Sequence, residues 1–144
     1  MSPAPLGPAA ASPHVVTRMS RFVLLEHTGH PDDPAGRHYD LLLEDGSACR
    51  TWRLAAIPAT DAPPVATAEL PPHRLVWLDR LEGEVSGGRG FARRIDAGTY
   101  APAIPPGAPP ATDGCLVVDL HGRVLAGRLR LEPGPSGSAA LTEP

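Results

Sequence analysis

Three side chains suited to a divalent cation lie close together early in the chain. They are His27, His38 and Asp40, in the run EHTGHPDDPAGRHYDLLLE. Side chains on a strand alternate between faces, so His38, Asp40, Leu42 and Glu44 would share one face and Tyr39, Leu41 and Leu43 the other. His38 and Asp40 are then separated by ~7 Å of backbone, near enough for both side chains to converge on one ion. His27 closes the preceding run, RFVLLEH. If that run pairs antiparallel with residues 38–44 through TGHPDDPAGR, His27 arrives beside His38. Two imidazoles and a carboxylate suit Mn²⁺, Fe²⁺ or Zn²⁺. His30 reads as a solvated residue of the connecting loop, His14 as part of an N-terminal arm, and His121 as turn chemistry.

The elements that must position these groups have strand character. The 144 residues include 19 Pro and 15 Gly, a level that argues against a helical bundle because both residues break helix interiors. RFVLLE, HYDLLLE, CRTWRL, HRLVWL, GFARRID, CLVVDL and RVLAGRLRL read as short strands, punctuated by the turn signals EDGS, EVSGGRG, DAGTY and LHGR. LLLEDGSACRTWRL and CLVVDLHGRVLAGRLRL read as hairpins, and ATAELPPHRL as a place for a helical turn. The pattern predicts a single all-β barrel or sandwich over residues 19–132. The Pro/Ala-rich arm 1–18, the loop PAIPPGAPPATDG and the tail 133–144 are expected to be disordered.

Every basic residue is Arg, and the net charge of −3 provides no global field for a polyanion, so a nucleic-acid role would need a local basic patch. Two cysteines, Cys49 and Cys115, without an export signal read as reduced thiols. No apolar run is long enough to span a bilayer, so a soluble, cytoplasmic protein is expected.

The ordered series RFVLLEH, HYDLLLEDG, RTWRL, HRLVWLDRLEGEVSGGRG and RIDAGTY resembles the 3′-phosphoesterase domain of bacterial DNA ligase D, and more closely its small stand-alone relatives. The resemblance covers roughly residues 21–131. It implies a β-barrel with a crescent groove on one side, where Mn²⁺ would help remove a 3′-phosphate or 3′-ribonucleotide from DNA or DNA–RNA primer ends. By that likeness His27, His38 and Asp40 hold the ion, and His73 contacts the reacting phosphate. The partners implied are nucleic-acid 3′ ends and a separate ligase or polymerase.

Several phosphate-handling positions depart from the family pattern. Leu42 stands where the family has an arginine, Leu25 where it has a glutamine, and Trp77 where it has a tyrosine; RLAAIP replaces the segment that follows the tryptophan. The loop between His27 and His38 is also longer than the common form. An arginine forks onto phosphate and a leucine cannot, so activity is expected to be reduced unless other groups take over. Arg53 and Arg89 are the candidate substrate contacts, with Arg93, Arg94, Arg128 and Arg130 as weaker ones, and Trp52 and Trp77 could stack on bases. Two alternatives stand beside the enzyme. One is a non-catalytic module binding nucleic-acid ends or a protein; the other is a facial triad of His38, Asp40 and a distant histidine such as His121.

Overall fold

The computed structural model describes residues 20–103 and 114–143. The arm 1–18 and most of the loop PAIPPGAPPATDG lie outside them. Nine strands run in chain order: β1 (Ser20–Thr28), β2 (Arg37–Asp45), β3 (Ala48–Leu54), β4 (Val65–Arg74), β5 (Glu82–Glu84), β6 (Phe91–Pro102), β7 (Leu116–His121), β8 (Ala126–Leu131) and β9 (Gly137–Thr142). Neighbours pair antiparallel in the order β1-β2-β3-β4-β9-β8-β7-β6, and β6 returns to β1. Eight strands thereby close an all-β barrel with no open edge. The short β5 is an extra strand on the first residues of β6.

Four segments differ from expectation. The tail 133–144 is not structureless: it supplies β9, which bridges β8 and β4 and completes the ring. Its few apolar residues suffice because Ala139 and Leu141 alternate into the barrel while both neighbouring strands satisfy its backbone. DAGTY is no turn but the middle of β6. ATAELPPHRL is extended as β4, and HRLVWL leaves that strand for a 3₁₀ helix over Leu75–Asp79. Pro71 and Pro72 explain the irregularity there. Lacking N–H groups, they cannot ladder with β3, and the register shifts between Cys49 and Thr51.

Strand alternation produces two cores. Phe22, Leu24, Leu41, Leu43, Trp52 and Leu54 fill the lumen with residues of β7 to β9. Val23, Leu25, Leu42 and Cys49 point outward and are covered by Leu78 of the 3₁₀ helix, with Leu75 and Trp77 beside it. Burying each such leucine contributes ~1.5–3 kcal/mol, so the outward residues need that cover. Trp52 is thus a core residue, its indole N–H donating to the Glu132 carbonyl at 3.2 Å. Cys49 and Cys115 form no disulfide, and burial pushes the Cys49 thiol pKa up, away from thiolate chemistry. Among the described residues no helix is long and apolar enough to cross a membrane.

Both predicted hairpins form. β2 and β3 are joined by Gly46-Ser47 alone, with Gly46 at φ 66° and Ser47 at negative φ, the pattern of a type II′ turn. The β7–β8 loop is built around Asp96 of β6. This carboxylate accepts the backbone N–H groups of Arg123, Val124 and Leu125 at 3.0, 3.0 and 2.8 Å. Gly122 lets the loop approach, since a Cβ there would meet Asp96 Oδ2 at 2.3 Å. Replacing Asp96 with Ala strands three donors in a partly buried loop. We expect Asp96→Ala to lose about 2–4 kcal/mol of unfolding free energy, read as a lower urea midpoint at constant slope.

Candidate metal centre

The antiparallel register of β1 and β2 sets His27 directly opposite His38 and Leu25 opposite Asp40. On β1 the outward positions are Val23, Leu25 and His27; on β2 they are His38, Asp40 and Leu42. The three polar groups therefore lie on the outer face of the barrel, next to the second core, and not in its lumen. Where β1 meets β6, a register shift between Leu24 and Leu25 adds local twist just before His27.

His27, His38 and Asp40 are each less than 10% exposed, and one ligand atom from each lies within 4.8 Å of the others. His38 Nε2 is 3.5 Å from Asp40 Oδ1, and His27 Nδ1 is 3.7 Å from Asp40 Oδ2. Those separations are long for hydrogen bonds. They match the spacing of roughly 3–4 Å between atoms that each sit ~2.1 Å from a shared ion.

The other ring nitrogens decide which atoms are free. His27 Nε2 donates to the Arg89 carbonyl at 2.6 Å, which leaves the lone pair on Nδ1. His38 Nδ1 donates to Asp33 Oδ2 at 2.9 Å, which leaves the lone pair on Nε2. An outer carbonyl or carboxylate fixing each imidazole is the usual support for a metal-binding histidine. His38 Nε2 and Asp40 Oδ1 are buried without a hydrogen-bond partner, a condition that costs about 1–3 kcal/mol per group unless something fills the gap. The group could hold one divalent cation, and its donors fit that role.

A pocket of about 200 Å³ opens beside the trio, onto His27 and Asp40. His27 and Asp40 line it together with Arg53 and His73, the sequence-predicted contacts on β3 and β4. Arg53 Nε is buried without a partner. His73 donates from Nδ1 to the Pro71 carbonyl at 3.2 Å and stands edge-on to Trp77, 6.0 Å between ring centres. Arg89 also lines the pocket, but its guanidinium is tied to Ser86 and its carbonyl is the group that serves His27. Arg93 pairs with Glu26, Arg94 donates to the Leu78 carbonyl and Arg128 pairs with Asp119, all outside the pocket lining. His121 ends β7 opposite Thr99 and does not join the trio.

Two contributors escaped the sequence reading. Asp33, which no sequence pattern singled out, orients His38. His30, expected to be solvated, is half-buried in the pocket wall, its ring centre 5.3 Å from that of His27 and 6.2 Å from that of His38. Gly90 is a third kind of support. A Cβ at this position, at φ 90°, would meet the Thr28 carbonyl oxygen at 2.0 Å, so only glycine lets the 85–90 loop bring the Arg89 carbonyl to His27.

Compared with known proteins, the chain matches no family model and no curated protein.

Charge is balanced within the trio. Burial pushes the Asp40 pKa up, but the imidazoles of His27 and His38 outweigh it and hold the carboxyl well below the usual range. The Asp40 carboxylate in turn raises the His27 pKa above 6.5, against the effect of burial and with help from the Arg89 carbonyl. Asp40 is thus ionised throughout the neutral range, and His27 sets the pH response. In metal-free protein the His27–Asp40 pairing stabilises fully below pH 6.5 and fades as pH rises through the raised His27 pKa. Metal binding has the opposite sign, because it needs the neutral ring. For any divalent cation the trio holds, we expect affinity, measured by calorimetry between pH 6 and 8, to climb by up to about tenfold per pH unit and level off above the His27 pKa. Asp33→Ala and Gly90→Ala each remove a support and should weaken divalent-cation binding about 10–100-fold with His27, His38 and Asp40 all in place.

Proposed function

We propose that this protein is a metal-dependent, phosphoesterase-like protein that removes a 3′-phosphate or 3′-ribonucleotide from DNA or DNA–RNA ends in cytoplasmic end repair, with Mn²⁺ as its ion. The observation that carries the reading is a buried His27–His38–Asp40 cluster whose His27 and Asp40 line a pocket that also holds Arg53 and two further histidines, His30 and His73. At about 200 Å³ the pocket is smaller than the ~300–1,000 Å³ of sites for drug-sized ligands, which suits a terminal group better than a whole nucleotide. The ligase D resemblance selects the same three ligands and the same His73.

His27, His38 and Asp40 would hold the ion, which when bound supplies positive charge to a phosphate oxygen. Arg53 contributes a guanidinium to the phosphate. Water supplies the oxygen that bonds to phosphorus as the P–O3′ bond breaks; His73 already donates from Nδ1, so in its charged form it presents the Nε2 proton to the departing 3′-oxygen as general acid. The buried wall of Leu25, Val85 and Ala92 keeps water from that side of the pocket and strengthens each polar contact. The product, a 3′-hydroxyl, is what a ligase or polymerase needs, which makes those enzymes the expected partners.

A second reading has its own support. Leu42 is sealed beneath the 3₁₀ helix and Leu25 forms apolar pocket wall, so neither position offers a phosphate contact. A groove of that kind suits a non-catalytic module that recognises a nucleic-acid end or a protein.

Metal content by mass spectrometry and phosphate release from a 3′-phosphorylated primer–template separate the two. The enzyme reading expects about one equivalent of Mn²⁺ in the wild type, lost in His38→Ala. His73→Ala should keep the metal and lose about 10²–10⁴ in rate. Metal-loaded wild type that releases no phosphate from DNA or RNA 3′ ends would favour the binding module.

A further inference from the structure

We propose that His30 is a hydrogen-bond donor to a phosphate oxygen in this pocket, and not a fourth metal ligand. The assignment rests on the reading that the pocket receives a phosphate beside a bound cation. It goes further by giving a role to a residue of the long β1–β2 loop.

The loop is built to bring His30 inward. Gly29, at φ 74°, turns the chain directly after β1, and its N–H donates to the Gly36 carbonyl at 3.2 Å, which closes the loop at its base. Asp33 N–H donates to the His30 carbonyl at 3.1 Å and Gly36 N–H to the Asp33 carbonyl at 3.0 Å. These bonds set two groups at once, since Asp33 fixes His38 while His30 closes the pocket wall. The His30 ring stands edge-on to His27 at an interplanar angle of 83°.

Its ring nitrogens are arranged differently from those of the metal trio. His30 Nδ1 accepts the backbone N–H of Asp32 at 3.0 Å. That nitrogen therefore carries the lone pair, and the ring proton of a neutral His30 is on Nε2. His27 and His38 show the reverse: each donates outward from one nitrogen and keeps a lone pair for the ion. Ligation through His30 Nε2 would require breaking the Asp32 bond or removing a second proton. Donation from Nε2–H to an anion requires neither.

Two positions of the pocket wall supply no free donor, a gap that His30 could fill beside Arg53 and His73. Leu25 contributes none, and the Arg89 guanidinium is bonded to Ser86. Arg53 on β3 and His30 on the loop then form a pair of donors from separate elements, standing in for a single forked arginine.

The test is calorimetric titration of the full chain, first with Mn²⁺ and then, once loaded, with inorganic phosphate, comparing wild type, His30→Ala and His30→Gln. Thermal melts check that the variants fold. We expect Mn²⁺ affinity within about twofold of wild type in both variants, phosphate affinity reduced about tenfold or more in His30→Ala, and partial recovery in His30→Gln, whose amide can donate. A drop of about tenfold in Mn²⁺ affinity for His30→Ala would make His30 a ligand and overturn the proposal. Unchanged phosphate affinity in His30→Ala would overturn it as well, as would loaded wild type that binds no phosphate. Wild type that takes up no Mn²⁺ defeats the reading of the site itself and this assignment with it.

Discussion

The register that places His27 opposite His38 is the constraint on which the site depends. A slip of one residue between β1 and β2 would turn His38 and Asp40 into the lumen and Leu41 and Leu43 out to the groove, since strand side chains alternate with a period of two. Phe22 and Leu24 on β1, with Leu41 and Leu43 on β2, hold the register because the lumen accepts only that set. The same alternation that packs the barrel therefore assembles the candidate metal-binding trio. The connecting loop has little part in this. Closing a longer loop costs only about 0.6 kcal/mol per doubling in length, so the ten residues between His27 and His38 can carry functional groups without disturbing the register.

The site's position follows from how the outer face is covered. The lumen of this eight-stranded barrel is filled by its own side chains, and the trio is built on the outer face instead. Here the 3₁₀ helix seals Val23, Leu42 and Cys49, and the 85–90 loop comes down on His27 beside it. Between them remains a pocket of about 200 Å³. Pro71 and Pro72 break the ladder between β3 and β4, and the chain resumes at His73, which pairs with Cys49. The two prolines and the glycines of EVSGGRG, the latter read in the sequence as a turn signal, set the walls of the site.

The sequence made the trio legible because a period of two is readable without knowing tertiary contacts. Its two hairpins were legible for the same reason, each with a glycine in its turn. The misread segments share a physical cause, which is that local pattern does not report distant partners. Asp96-Ala97-Gly98 resembles a turn, yet the carboxylate of Asp96 accepts from a loop 27 to 29 residues away, and Gly98 lies where a Cβ would strike the His121 carbonyl. The C-terminal tail looks too polar to order, but β8 and β4 supply both edges of its ladder. Asp33 and His30 had no signal at all, since an oriented histidine and its supporting carboxylate are defined by hydrogen bonds that spacing does not encode.

Fold and site are coupled through the cost of the unsatisfied trio. Asp40 is a buried carboxylate whose neighbours are two rings oriented to present lone pairs, an arrangement that disfavours the folded state when nothing shares the electrons. Protonation of His27 relieves part of this, which is why the Asp40 carboxylate raises its pKa. A cation relieves it more fully, and because the unfolded chain has no preformed site, its binding energy adds to folding energy. The orienting bonds from the Arg89 carbonyl and from Asp33 oppose the easiest escape, a ring rotation that would let His27 or His38 hydrogen-bond to Asp40 and fill the gap internally. A barrel stable enough to hold those bonds is what keeps the three atoms poised, and its rigidity is therefore part of what fits the trio to a cation.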